Sequence, residues 1–292
     1  MISWQRSWAL AGMSFRVIKQ DKEMLLFPVC AGFFSMLFSA LILVPTTILP
    51  MLNRGFDPNA MSLVALVSTY VAVAFCAAFF NVCAVYTTKV RLSGGDATFF
   101  DSIGFALSRI HLIFAWSLVS ASVGLLFNAI ERVANKAGLA GKIVLLILRL
   151  MLVVAWDVMT VFVVPVMVYE GVGPFAAMRR SVETLRKVWG EGASVFFATG
   201  LVTFVLVFPA FFALFAVPLV VASAGLPPVM AVVLFGLLGV YILGASLVMG
   251  VVRTVYVTAL FSYATTGVVP AGFTEEAMVG AFTGKQVPAA AY

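Results

Sequence analysis

Apolar residues in this chain fall into six long runs that short polar segments separate. A helix needs about 20 apolar residues to cross the roughly 30 Å hydrocarbon core of a bilayer, and each run reaches that length. The predicted spans are 24–52, 61–88, 110–130, 143–169, 193–223 and 229–263. The pattern therefore predicts an all-α, polytopic membrane bundle of six transmembrane helices. Prolines inside the first and fifth runs predict bends there, and 131–142 is a polar connection.

The fourth run ends in a turn, and a different pattern follows it. The turn residues are Glu170, Gly171, Gly173 and Pro174. Glycine fits a helix stop and proline the first position of the next helix. Beyond the turn, apolar residues recur at the spacing of one helix face: Phe175, Met178, Val182, Leu185 and Trp189. This spacing predicts a short amphipathic helix that lies on the membrane surface.

Four cations of this helix lie outside its apolar stripe: Arg179, Arg180, Arg186 and Lys187. Clusters of this kind bind the phosphates of anionic lipids, and we expect these residues to contact lipid head groups. A solvated face on the cytoplasmic side explains them equally well. Glu170 is expected to pair with Arg179 or Arg180, or to cap the turn.

The first 23 residues also follow a helical spacing. Trp4, Trp8, Ala11, Phe15 and Ile18 share one face. Tryptophan favours head-group depth, so the pattern predicts an interfacial helix with Trp4 and Trp8 as anchors, and Trp189 as a third anchor. A helix packed beneath the bundle fits the same pattern. The predicted organisation is an N-terminal amphipathic helix at 1–23, a six-helix transmembrane domain at 24–263 and a short cytoplasmic tail at 264–292.

Composition agrees with this interpretation, because 63% of the 292 residues are hydrophobic and only 10% are charged. Soluble domains carry about 25% charged residues. The net charge of +6 comes mainly from residues that flank the spans, so nucleic acid is not an expected partner. With the N-terminus inside, 12 Lys and Arg residues fall on the inner side and four on the outer side. This bias predicts an inner-membrane protein with both termini in the cytoplasm.

Two charges fall deep inside apolar runs. Asp157 lies about 18 Å from the inner end of the fourth span, and Arg253 lies at a comparable depth in the sixth. An isolated charge in hydrocarbon costs at least about 2.5 kcal/mol, so we expect Asp157 and Arg253 to pair. A structural ion pair and a residue of an ion pathway both fit this position.

The sequence contains no GxSxG, HExxH or P-loop pattern. His111 is the only histidine, and Cys30, Cys76 and Cys83 have no CxxC spacing. We therefore expect no catalytic residue, no metal site and no cofactor.

A faint repeat accompanies the even-numbered spans. Gly95, Gly171 and Gly267 each follow such a span and lead into a short helix that carries aromatic or aliphatic residues. Three copies of a helical hairpin with a surface helix would produce this pattern, and so would any three interfacial helices.

Several short motifs carry a family resemblance. They are Pro165-Val-Met-Val-Tyr-Glu170-Gly171, Met178-Arg-Arg-Ser181, Lys187-Val-Trp-Gly190, Ser3-Trp4 with Ser7, and Asp21-Lys-Glu23 with Phe27-Pro28. The chain resembles a group of prokaryotic six-span membrane proteins of unknown function. That group is distantly similar to the membrane domain of glycerophosphodiester phosphodiesterases. The resemblance implies a fold and no activity, because the soluble phosphodiesterase domain is absent.

Two functions remain open. The first is a non-enzymatic, lipid-associated scaffold or a subunit of a larger membrane complex. The second is a transporter or channel for a small solute or lipid, which would use Asp157 and Arg253. Anionic membrane lipids are the expected ligands, and a second copy of the chain or another membrane protein is the expected protein partner.

Overall fold

The computed structural model describes residues 12–19, 21–54, 63–188, 208–209, 212–225, 227–275 and 278. These residues form helices and turns, with no strand among them, so the predicted all-α class is confirmed. The helices are α1 (12–19), α2 (Leu26–Leu43), α3 (Leu49–Arg54), α4 (Leu63–Leu92), α5 (Phe99–Ser108), α6 (Ile110–Lys136), α7 (Leu139–Thr160), α8 (Val163–Glu170), α9 (Pro174–Val188), α10 (Phe212–Ser223) and α11 (Pro228–Thr266).

Five segments of the described chain are long and apolar enough to cross a membrane. They are Lys22–Asn53, Leu63–Leu92, Ile110–Lys136, Leu139–Glu170 and Val229–Thr266. They correspond to the first, second, third, fourth and sixth predicted runs. The structure describes only 208–209 and 212–223 of the fifth run, so the sixth span stays a prediction.

The described residues divide into two compact units. The central unit is Leu26–Lys187, and the terminal unit contains the described residues up to Leu25 and from Val188 onward. Within the central unit, α4 packs against α2, α5, α6 and α8. α6 also packs against α7. Aromatic rings stack at three of these contacts, with centroid distances of 5.7 Å for Phe34 and Phe80 (α2 and α4), 4.2 Å for Tyr86 and Phe105 (α4 and α5) and 5.7 Å for Trp116 and Trp156 (α6 and α7). The predicted single membrane domain stays a prediction.

The first span is distorted at its proline, as predicted. Pro45 has no N–H, and its ring excludes the carbonyl of Leu41 from a regular helical bond. The backbone widens into a π-helical turn over Val44–Ile48, and the N–H of Leu49 donates to the carbonyl of Val44. The distortion follows from the proline.

The connection between the third and fourth spans is shorter than the polar stretch at 131–142 predicts. α6 continues to Lys136 and α7 begins at Leu139. Arg132 Nε donates to Asn128 Oδ1 at 2.8 Å within α6, and Glu131 pairs with Arg149 of α7 at 3.1 Å. Most of the polar stretch is therefore helical, and the ion pair between Glu131 and Arg149 joins α6 to α7.

In the terminal unit, α1 buries Met13, Val17 and Ile18, whereas Phe15 is exposed. The face that packs against protein is therefore rotated toward Met13 and Val17, and the membrane-facing position of Phe15 stays a prediction. The helix α11 is roughly 58 Å long and therefore exceeds the roughly 30 Å hydrocarbon core. It ends at Gly267, which adopts the left-handed conformation.

Candidate functional site

The fourth span is interrupted near its inner end. α7 stops at Thr160 and α8 begins at Val163, where the sequence predicts one continuous helix over 143–169. Pro165 explains the break, since it has no N–H to donate and its ring excludes the carbonyl of Val161. A break inside a span exposes backbone groups that water cannot satisfy in hydrocarbon.

Ser181 of α9 satisfies two of these backbone groups. Its hydroxyl donates to the carbonyl of Met159 at 2.7 Å and accepts from the N–H of Phe162 at 3.1 Å. Ser181 and Phe162 are both fully buried. One side chain of α9 thus replaces intrahelical bonds that the break removes, and it attaches α9 to the span.

The predicted amphipathic helix after the turn is confirmed as α9, but its buried face differs from the predicted stripe. Ala177, Ser181 and Leu185 are buried, whereas Phe175 is 75% exposed. Small residues let one helix approach another closely, while bulky apolar side chains can face lipid. Phe175 therefore points away from the rest of the protein, and its place on a lipid-facing apolar stripe stays a prediction. Trp189 lies outside the described residues, as do Trp4 and Trp8, so the three predicted anchors stay predictions.

The α8–α9 turn (Gly171–Gly173) has the predicted form. Gly171 adopts the left-handed conformation, with φ of 66°, and its N–H donates to the carbonyl of Met167 at 3.0 Å. Glu170 pairs with Arg180, one of its two predicted partners. The other, Arg179, pairs with Glu183 at 3.1 Å instead.

These two pairs change the basic face of α9 (Arg179, Arg180, Arg186 and Lys187). Two of its four cations are compensated by carboxylates. Arg186 and Lys187 are exposed and have no carboxylate partner among the residues that the structure describes. Head-group binding by this face stays a prediction, and these two cations are its best placed members.

Two further cations meet at the same turn, and sequence reasoning treated them only as markers of topology. Lys89 Nζ lies 4.5 Å from the ring centroid of Tyr169, and Arg109 Cζ lies 5.5 Å from that of Phe105. The guanidinium of Arg109 also lies against Gly171, where any β-carbon would overlap it. The sequence offered one signal for this site, because Lys89 directly follows the second predicted span and Arg109 directly precedes the third.

The intramembrane charges lie in different units. Asp157 is on the exposed side of α7, one turn before the break, and belongs to the central unit. Arg253 is exposed on α11 and belongs to the terminal unit. The predicted pair between Asp157 and Arg253 stays a prediction.

A groove of about 490 Å³ lies along α2, α4 and α6. Its lining consists of apolar side chains, among them Phe38, Phe75 and Phe114, together with Ser68. Among the residues that the structure describes, its lining is apolar apart from the hydroxyl of Ser68.

Comparisons with known proteins agree with the predicted uncharacterised family. No curated protein and no solved structure matches the chain. A family of unknown function, DUF6159, matches residues 60–273, which are 214 of the 292 residues. The relation to the membrane domain of glycerophosphodiester phosphodiesterases stays a prediction. The chain belongs to the family of unknown function DUF6159.

Proposed function

We propose that this chain is a non-enzymatic integral membrane protein that associates with anionic lipid and acts as a scaffold or as a subunit of a larger membrane complex. We place it in the inner membrane with both termini in the cytoplasm, on the distribution of Lys and Arg along the chain. The observation that carries the proposal is the break in the fourth span. We call this break closed, because the hydroxyl of Ser181 forms hydrogen bonds with the carbonyl of Met159 and the N–H of Phe162.

The closed break favours a static role over transport. In transporters, broken helices place free backbone groups in a cavity, where they bind substrate or ions. Here Phe162 and Val163 are fully buried, and the hydroxyl of Ser181 occupies the groups that a substrate would use. The apolar lining of the groove along α2, α4 and α6 points the same way.

Lipid association is supported by charge. α9 carries four cations and one carboxylate of its own, and Glu170 before it supplies a second. Arg186 and Lys187 extend this surplus into solvent at the end of α9. Each cation near an anionic membrane surface contributes about 1 kcal/mol of attraction.

The experiment is native mass spectrometry of the protein extracted gently from its own membrane. The proposal predicts a reproducible mass above the 31.3 kDa chain that separates into other polypeptides. A bare chain that carries no other polypeptide contradicts the role as a scaffold or subunit.

One observation favours the second function, transport of a small solute or lipid. Asp157 lies one helical turn before the break, where a titratable group could act on an ion that passes. Transport predicts that Asp157→Asn leaves assembly intact and abolishes ion flux into proteoliposomes. Equal flux in the variant and the unaltered protein, or no flux in either, rejects it.

A further inference from the structure

We propose that Lys89 and Arg109 bind one phosphate group between them beside the α8–α9 turn, either the head-group phosphate of an anionic lipid or a free phosphate ion. The lipid form deepens the proposed function and rests on it. The two cations belong to consecutive elements, since Lys89 lies near the end of α4 and Arg109 joins α5 to α6. Tyr169 and Gly171, which they contact, lie about 60 residues beyond Arg109 in the chain. The fold of the central unit brings both to the end of α8.

Gly171 fixes the position of Arg109. A β-carbon at position 171 would lie 2.9 Å from Arg109 Cζ and 3.2 Å from Nη2, and it would overlap Nη1. The guanidinium therefore occupies space that only glycine leaves open. Gly171 also adopts the left-handed conformation that other residues rarely accept. The same glycine thus ends α8 and admits the cation.

Aromatic rings hold both cations in place. Arg109 lies over Phe105, whose ring stacks on Tyr86 at 4.2 Å, and Lys89 lies over Tyr169. A ring face attracts a cation without accepting its N–H groups along a lone pair. The ammonium of Lys89 offers three donors and the guanidinium of Arg109 offers five. These donors remain available to the oxygens of an anion.

The carboxylates nearest in sequence to Lys89, Arg109 and Gly171 already have partners. Glu170 pairs with Arg180, Asp96 pairs with Arg91 at 2.6 Å, and Asp101 accepts from Thr98. Neither Lys89 nor Arg109 forms an ion pair with any residue that the structure describes. Both are half-buried, and their charges repel each other. Two close cations without a carboxylate are stabilised by an anion from outside the protein.

The carbonyl end of α8 is the competing partner for these charges. Its partial negative charge stabilises a cation in the last turn. That effect amounts to about half an elementary charge, whereas Lys89 and Arg109 bring two. A surplus of positive charge therefore remains.

The pair also lies at the ends of three helical segments that are long and apolar enough to cross a membrane. Lys89 is three residues before the end of α4, Arg109 directly precedes α6, and Gly171 directly follows α8. Three candidate spans therefore begin or end around the pair. Basic pockets between spans at this depth bind lipid head groups.

The test uses the full chain, delipidated in detergent and titrated with short-chain phosphatidylglycerol, short-chain phosphatidylcholine or inorganic phosphate. Native mass spectrometry counts the bound molecules, and thermal unfolding measures the shift in Tm. The unaltered protein is expected to retain one phosphatidylglycerol or one phosphate. The double variant Lys89→Gln with Arg109→Gln should weaken that binding at least about 10-fold, because two charge-assisted bonds are lost.

The matched control is Arg132→Gln with Lys136→Gln, which removes one arginine and one lysine from the exposed end of α6, away from the proposed lipid-binding faces. It should retain the bound molecule, as should the charge-conserving double variant Lys89→Arg with Arg109→Lys. Phosphatidylglycerol that binds while inorganic phosphate neither binds nor competes identifies a lipid site. Inorganic phosphate that binds and competes identifies a site for free phosphate.

The proposal is overturned if the unaltered protein binds none of these probes, or if the Lys89 and Arg109 double variant binds as tightly as the control. A lower Tm in that variant, without any ligand-dependent shift in the unaltered protein, would assign the cations to the end of α8 alone and would also overturn it. These outcomes are separate from the proposed function, which fails on the absence of partner polypeptides in gentle extracts.

Discussion

The helices α5 and α9 have the same relation to the spans before them. Each begins a few residues after a glycine in the left-handed conformation, Gly94 for α5 and Gly171 for α9. Each buries two small side chains completely, at its fourth and eighth residues. These are Ser102 and Ala106 in α5, and Ala177 and Ser181 in α9. The shared pattern supports the repeat that the sequence suggests.

The two helices differ in what their serines contact. Ser102 lies 2.6 Å from the hydroxyl of Thr87, which also donates to the carbonyl of Cys83. Ser181 contacts the backbone of a broken span. α5 therefore rests on an intact helix, and α9 completes a broken one. Both helices pack through small residues, but only in α9 does this packing supply hydrogen bonds that a break in a span has removed.

The helices also differ in charge. α5 contains one charged residue, Asp101, whereas α9 contains five. An apolar surface helix can sink toward the acyl chains, while a basic one stays at the level of the phosphates. The comparison therefore favours a packing role for α5, and the charge of α9 fits the lipid or partner contact that we propose for it.

The largest expected effect distinguishes the two serines. Ser181→Ala leaves the N–H of Phe162 and the carbonyl of Met159 without a partner, and it should reduce the free energy of unfolding by about 2–3 kcal/mol. Ser102→Ala should cost about 1 kcal/mol or less, because Thr87 keeps its bond to Cys83. Denaturant unfolding in micelles measures both. Equal losses would contradict the difference that we assign to α5 and α9.

The next effect distinguishes the two glycines. Alanine at either Gly94 or Gly171 must adopt the left-handed conformation, which costs roughly 1–2 kcal/mol. A β-carbon at 94 meets nothing within 4 Å, whereas one at 171 displaces Arg109. Gly171→Ala should therefore destabilise the protein more than Gly94→Ala, by about 1 kcal/mol. A larger loss for Gly94→Ala would show that Arg109 is not held against the α8–α9 turn.

A smaller effect is expected at the ion pair of the turn. Arg180 is half exposed, so Arg180→Gln should cost about 0.5 kcal/mol and less in high salt. Arg179→Gln, which removes the more exposed pair with Glu183, is the control and should cost less still. A loss that does not change with salt would count against an ionic contribution.

The smallest effect concerns the start of α5 and depends on pH. Hydrogen bonds from the hydroxyl and N–H of Thr98 hold the pKa of Asp101 below its ordinary value of 3.8. A carboxyl group with a lowered folded pKa stabilises the protein above its unfolded pKa, and this contribution is lost as the pH falls from 3.8 through the lower value. The Tm difference between the unaltered protein and Thr98→Val should therefore become smaller as the pH falls below 3.8. A constant difference would argue against this bond.

Local patterns were sufficient for some of these features. Glycine and proline mark the α8–α9 turn because each has a distinct backbone preference. The sequence also restricted the partner of Glu170 to Arg179 or Arg180, since only a short turn separates the two helices, and the structure shows the pair with Arg180. Long apolar runs identified the five described spans, because length and hydropathy decide that property.

Other features depend on tertiary contacts that no local pattern contains. Ser181 lies 22 residues from Met159, and a serine in an amphipathic helix is equally common at the surface. Apolar periodicity placed Phe175 and Leu185 on one stripe, but it does not separate a lipid-facing side from a protein-facing one, and only Leu185 is buried in the protein. The meeting of Lys89 and Arg109 at Gly171 requires the packing of several helices, which the sequence alone did not specify.

The most direct test of the central claim asks whether the break in the fourth span is closed to water. Two single-cysteine variants are made in a chain in which Cys30, Cys76 and Cys83 are replaced by alanine. One carries Phe162→Cys, and the other carries Arg179→Cys as the accessible control. A membrane-impermeant maleimide added to inside-out membrane vesicles, which expose the cytoplasmic side, should label the control and leave position 162 unreacted, because Phe162 is fully buried against α9. Labelling of position 162 at the rate of the control would place the break in a water-filled pathway. That result would contradict a closed, non-transporting protein.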